Sequence, residues 1–195
     1  MIHFKQILIP VLALVALLCA TCKKGTSDAG AGNADSASLS EPQAYVDAGG
    51  KLVIPERASM AVSDFAGVLG DSVRGLEDDL RRYAAETPAQ IIMVTMADLG
   101  SADPQQIAAE ILHRWGVGEN GKDNGVVILL QPSDGNSACK AAIVAGKGLE
   151  PMLSAKTCQG IADATMQPKL AENDYYGAVS AAVDDILRTI SATQQ

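Results

Sequence analysis

Trp115-Gly116-Val117-Gly118-Glu119-Asn120-Gly121-Lys122-Asp123-Asn124-Gly125 runs directly into Val126-Val127-Ile128-Leu129-Leu130, and this stretch organises the chain. Ahead of it Ile107, Ile111, Leu112 and Trp115 recur at helical spacing, and Asp103-Pro104 supplies a cap and a first-turn proline. Gly116 stops that helix. Behind the loop, five consecutive apolar residues read as a strand buried on both faces. The loop therefore sets a cation, a carboxylate and an amide (Lys122, Asp123 and Asn124) at the mouth of a buried strand. Ligands of α/β proteins bind in the crevices at strand ends.

Working outward, Asp71 or Ser72 can cap a helix carrying Val73, Leu76, Leu80 and Tyr83. Glu77, Asp78, Asp79, Arg81 and Arg82 fall largely on its other face and read as a solvated surface. Asp64 to Gly70 is a turn-rich approach to this helix, and Ile91 to Met96 reads as a second buried strand. Downstream, Pro132-Ser133-Asp134-Gly135-Asn136 is a turn in which Asp-Gly favours a hairpin, and 138–145 returns as a strand. A second glycine loop, Gly146-Lys147-Gly148-Leu149-Glu150, follows. Ser154 caps a helix with Ile161 and Met166 that Pro168 ends or kinks. A last helix from about Tyr175 carries Val179, Val183, Ile186, Leu187 and Ile190. The order is helix, strand, helix, strand, strand, helix, helix. Strands apolar on both sides need cover on both faces, so the expected fold is α/β: one Rossmann-like domain, a three-layer α/β/α sandwich around a mostly parallel sheet.

The 195 residues suit one domain with appendages. Aromatic residues make up only 4%, so the core must be aliphatic. A net charge of −8 and a pI near 4.7 argue against a nucleic-acid partner. The only histidines are His3 and His113, which argues against histidine-centred catalysis; His113 reads as a surface or boundary residue. Residues 1–22 read as a signal peptide: His3 and Lys5, an apolar run from Ile7 to Ala20, then small residues before Cys22. That run is shorter than the ~20 residues that span a bilayer. The Cys22 region resembles the cleavage site of a bacterial lipoprotein, lipidated at that cysteine, although Cys19 stands where Leu is usual. An ordinary secretory signal or an uncleaved anchor is the alternative. Residues 23–50, rich in Ser, Ala, Gly and Asp, form a flexible tether, and 51–192 form the domain, with 51–55 laid on its edge. The expected setting is an exported, lipid-anchored protein of the cell envelope, periplasmic or on the outer surface. The membrane is its partner through the anchor, an envelope protein is a possible second, and the domain itself is expected to be monomeric.

From Ala61 to Ile190 the segments resemble the TPM domain family, whose pieces occur in order. Val62-x-Asp64-x-Ala66-Gly67-x-Leu69 opens the domain, and Ala89-Gln90-Ile91 begins the strand. The focal loop is the most specific piece. Gly146-x-Gly148-Leu149-Glu150 follows, then Pro168 with Asn173-Asp174-Tyr175 and Gly177. Departures are Pro88 where the family has Gly, and Ala142 and Val144 where Arg and Glu are usual. The resemblance implies an α/β/α sandwich, binding of Ca2+ or Mg2+, and in some members a weak acid phosphatase activity.

Hard cations take oxygen ligands, and the candidate ligands are Asp64, Asp123, Asn124, Glu150 and Asp174, all in glycine-rich or helix-entering loops. Each has a plainer reading: Asp123 and Asn124 as turn formers, Asp64 as a backbone partner, Asp174 as a helix cap, Glu150 as an exposed side chain. Three functions are open. One is a cation-binding module; another is a binding or scaffold module on the envelope, serving assembly or maintenance, with the loop as a partner-docking surface or the metal as a structural staple. The third is a metal-dependent acid phosphatase for phosphate monoesters, with Lys122 on phosphate oxygens and Asp123 as ligand or base. No dedicated nucleophile stands out. Cys139 and Cys158 are the only cysteines in the folded part; an exported protein would pair them as a disulfide, with two free thiols as the alternative.

Overall fold

Runs of buried aliphatic residues and amphipathic helices alternate along the chain, and they fold into a sheet covered on both faces. The computed structural model describes residues 52–135 and 138–193; the signal, Cys22 and the tether lie outside them. In order come β1 (Val62–Asp64), α1 (Ser72–Glu86), β2 (Gln90–Thr95), α2 (Pro104–Arg114), β3 (Gly125–Gln131) and β4 (Lys140–Ala145). A 3₁₀ turn (Lys147–Leu149), α3 (Ala155–Ile161), a π-helical segment (Ala162–Met166), α4 (Gln167–Ala171) and α5 (Tyr175–Thr193) complete it.

The sheet order is β1-β2-β3-β4, with β1, β2 and β3 parallel and β4 antiparallel to β3. Side chains alternate across a strand, and the burial follows. Ile91, Met93, Val126, Ile128, Leu130 and Ile143 pack under α1, α3, α4 and α5. Ile92, Val94, Val127, Leu129 and Ala142 pack under α2 and Trp115. This is the expected three-layer sandwich with a mostly parallel sheet. The two parallel crossovers step the same way across the sheet but put α1 and α2 on opposite faces. They therefore have opposite hands, and one departs from the strong right-handed preference. At the β4 edge, Gln105 of α2 donates to Gln159 of α3 (2.9 Å), linking the two faces around the sheet margin.

Several local expectations are corrected. The approach to α1 contains a strand, β1, too short and too polar (Val62, Ser63, Asp64) to show a period. Glu77 is not on the solvated face of α1: it is 5% exposed. Its carboxylate accepts the Ala61 and Val62 N–H groups (3.0 and 2.8 Å) and pairs with Arg81 Nε (2.9 Å). Asp71 precedes α1 but makes no side-chain cap bond. β4 begins at Lys140, not at 138. Pro168 does not end its helix: a π segment precedes it, and the helical chain continues past it as α4 to Ala171.

The expected disulfide is absent: Cys139 and Cys158 are both free thiols. Cys139 precedes β4 and directs Sγ to Leu170 O (3.6 Å). Cys158 directs Sγ to Leu153 O (3.9 Å) and sits by the backbone of Ala145, at the far end of β4. Six strand residues separate those positions, about 20 Å at the usual rise, whereas bridged Cα atoms lie under about 7 Å apart. Burial pushes the Cys158 thiol up to about 11. No helix among the described residues is long and apolar enough to cross a membrane.

Candidate functional site

The amino ends of β2 and β3 and the carboxyl end of the antiparallel β4 share one edge of the sheet, because Gln90, Gly125 and Ala145 are near-neighbours in register. Both glycine loops therefore meet there. α2 closes through Gly116 (φ +59°), with Gly116 N–H donating to His113 O (3.2 Å) and Val117 N–H to Leu112 O (3.1 Å). The loop then turns back along the start of β2. Gly118 N–H donates to Gln90 Oε1 (2.6 Å), and Gln90 N–H donates to Asn124 O (3.0 Å). Asn124 is buried, and both ends of its amide are used. Its Oδ1 accepts Glu119 N–H (2.7 Å); its Nδ2 donates to Pro88 O and to Glu119 Oε1 (3.3 Å). Asn124 holds the loop together.

The two glycine loops interlock backbone to backbone. Gly148 N–H donates to Asp123 O (3.0 Å), and Gly146 N–H donates to Gly125 O (2.8 Å). A Cβ on Gly148 would stand 1.8 Å from Lys122 O; one on Gly146, 2.2 Å from Asp123 O; one on Gly125, 2.1 Å from Val117 O. Only glycine allows this approach. Clamped this way, Asp123 takes a left-handed conformation (φ +47°), a form uncommon for a residue with a side chain. Asp123 is exposed and lines an open cleft of about 450 Å³ with His113, Glu119 and Lys147, and its carboxylate has no hydrogen bond or ion pair among the described residues. Lys122 is not free in the same sense. Its Nζ lies 2.6 Å from Glu119 Oε2, both side chains being more than half exposed. The hydrogen bond from Lys122, then that from Asn124, holds the Glu119 carboxyl below the usual carboxylate range.

The five candidate ligands do not converge. Asp123, Asn124 and Glu150 share the glycine-loop edge; Glu150 is exposed just past the 3₁₀ turn, its carboxylate also without a described partner. Asp64 ends β1 opposite Thr95, while the focal loop joins β3 opposite Gln90. Five strand residues, about 16 Å, separate the two ends. The Asp64 carboxylate accepts Val68 N–H (3.2 Å), Leu69 N–H (2.9 Å) and the Thr95 hydroxyl, so it organises the turn before α1. Asp174 is also remote, next to Tyr175, which stands beside Cys139 at the hairpin end. Its Oδ1 caps α5 by accepting Gly177 N–H (2.9 Å), with Lys169 Nζ 3.8 Å from Oδ2. Among the described residues no three Asp, Glu, His or Cys side chains form a group that could hold a metal.

Sequence reasoning passed over Gln90, Glu119, His113 and Lys147 as parts of this edge. Glu119 had a signal, the Glu-x-x-Lys spacing to Lys122. Gln90 stands in the Ala89-Gln90-Ile91 piece of the family pattern, but nothing local ties it to the Gly118 amide it receives, 28 residues away.

The profile of the TPM domain family matches residues 62–189. Among solved structures, the chain is similar to the N-terminal domain of a P. gingivalis protein, at 22% identity and a TM-score of 0.60, covering 69% of this chain and 84% of that one. It is also similar to the N-terminal domain of the cg2496 protein of Corynebacterium glutamicum (18%, TM-score 0.52, covering 70% and 84%). A third is the BA42 protein of the psychrophilic bacterium Bizionia argentinensis (14%, TM-score 0.50, covering 61% and 78%). Identities of this size speak to the fold. No curated protein matches the sequence.

Proposed function

Because the chain belongs to the TPM domain family, we propose that its folded part is a binding module taking a divalent cation, Ca2+ or Mg2+, at the edge built by the two glycine loops. The observation that carries this reading is Asp123: a carboxylate without a described partner, in an open cleft, on a residue whose backbone is clamped in a left-handed form. Hard cations take carboxylate, carbonyl and water oxygens. In this proposal Asp123 is the principal ligand and Glu150 a second carboxylate from the neighbouring loop. Asn124 shapes the loop without ligating, and Asp64 and Asp174 keep their own loops in order. Two carboxylates completed by water make a weak site, with a dissociation constant on the order of 10⁻⁴–10⁻³ M. A bound ion would tie the two loops together and present them to an envelope partner, in an assembly or maintenance role. The setting proposed for it remains outside the cytoplasm, on the 23–50 tether with lipid on Cys22.

Calorimetric titration of the full chain with CaCl2 and MgCl2 tests the proposal. Saturable heat from the unmodified chain, abolished in Asp123→Ala and retained in Asp64→Asn, is expected. No heat at millimolar cation, or the same isotherm in Asp123→Ala, overturns it. The alternative, a metal-dependent acid phosphatase, would need Lys122 on phosphate oxygens, and the ion pair with Glu119 competes for it. The binding reading is therefore preferred; aryl phosphate turnover that disappears in Asp123→Ala would reverse that preference.

A further inference from the structure

Residues 52–57 precede the family match, which starts at Val62, yet they hold the helix end from which the focal loop departs. Trp115, the residue that closes α2, donates its indole N–H to Pro55 O (2.9 Å). Arg57 Nη1 donates back to Trp115 O (3.0 Å) and, at 3.5 Å, to Gly116 O. The exchange is reciprocal: the segment accepts from the Trp115 side chain and donates to its backbone. Ile54, 7% exposed, inserts into the α2-side core with Trp115 and Val117, and Leu52 packs against the same cluster. Phe65 meets the Trp115 ring edge-on at 6.4 Å. Farther along, Glu77 receives the Ala61 and Val62 amides, which fixes the chain four to five residues after the segment.

The chain beyond Trp115 needs such a fastening. Gly116 and Gly118 both take positive φ (+59° and +110°), and glycine loses more freedom on ordering than any other residue. The last carbonyls of a helix carry partial negative charge and lack intrahelical partners, which suits a guanidinium. Arg57 supplies one from outside the helix.

We propose that residues 52–57 are a strap that sets the conformation of the α2–β3 loop, with Arg57 and Trp115 as positioning residues. Through that loop the N-terminal segment is coupled to the orientation of Asp123. The effect on cation affinity rests on the binding site proposed above; the effect on the loop does not. Displacing the strap, by tension on the chain before it or by a partner that takes residues 52–57, would loosen the loop and weaken the site.

Amide hydrogen exchange on the full chain tests this, with Arg57→Ala, Arg57→Lys and the unmodified protein compared beside a calcium titration of each. Arg57 is exposed, so its truncation leaves the core intact. In Arg57→Ala the Gly116 and Val117 amides are expected to exchange about tenfold faster, while β2 and β3 amides are unchanged. Arg57→Lys, which keeps one charged donor, recovers part of the protection. Calcium affinity falls several-fold in Arg57→Ala. Exchange at Gly116 and Val117 within twofold of the unmodified chain overturns the strap. Faster exchange with unaltered calcium affinity overturns the coupling. Faster exchange when no form of the protein binds calcium supports the strap and sinks the cation site instead.

Discussion

At the scale of single residues, the glycines divide sharply by what surrounds them. Gly125, Gly146 and Gly148 are required because a carbonyl of the opposing loop occupies the space of a Cβ, while Gly75 sits exposed in α1 with nothing within 4 Å. Gly148→Ala is therefore expected to cost about 2–3 kcal/mol through forced separation of the two loops. Gly75→Ala should stabilise by about 0.5–1 kcal/mol, by helix propensity and a less flexible unfolded chain. Urea unfolding measures both; equal effects of the two substitutions would refute the interlock. The same scale separates carboxylates that looked alike in sequence. The Asp64 carboxylate receives two backbone N–H groups and that of Asp174 one, so their plain structural roles are filled, whereas the Asp123 and Glu150 carboxylates have no described partner.

At the scale of elements, β1 is legible only once its neighbours are in place. Three residues present no periodicity, and what holds them is parallel pairing with β2 on one side and Glu77 of α1 on the other. The helix wheel put Glu77 with the solvated charges because it cannot register a strand arriving alongside. Truncating a buried carboxylate that receives two backbone amides leaves those amides orphaned, whereas the exposed Arg81 guanidinium turns to water. Glu77→Ala should destabilise by about 2–4 kcal/mol in urea unfolding, well beyond Asp78→Ala, its exposed neighbour. A Glu77→Ala effect matching that of Asp78→Ala would show that the β1–α1 junction is held by packing alone. The strands with long apolar runs, β2 and β3, were plain from the start, since burial on both faces leaves a signal that needs no tertiary knowledge. The disulfide was not decidable that way: the cysteine count permitted it, and the length of β4 between the two thiols forbids it.

At the scale of the whole molecule, one sheet carries two chemically different edges. The glycine loops gather where β3 begins and β4 ends, while Asp64, Asp174 and the hairpin occupy the other end. The strap ties the chain's N-terminal side to the first of these edges. A chain beginning at Ser59 should lose roughly 2–4 kcal/mol relative to one beginning at Leu52, from the burial of Ile54 and the Trp115–Pro55 hydrogen bond. Matching midpoints for the two truncated chains would mean the strap contributes nothing to stability. The sequence by itself determined the α/β class, the layers, the hairpin and the family, because those follow from apolar periodicity, turn chemistry and ordered local motifs, all short-range. Only the tertiary structure decided which polar residues share a site. A strand carries its two ends some 16 Å apart, and an antiparallel return brings Gly148 against Asp123 across 25 positions of chain, so proximity in the site is set by strand direction and register, which no local pattern records.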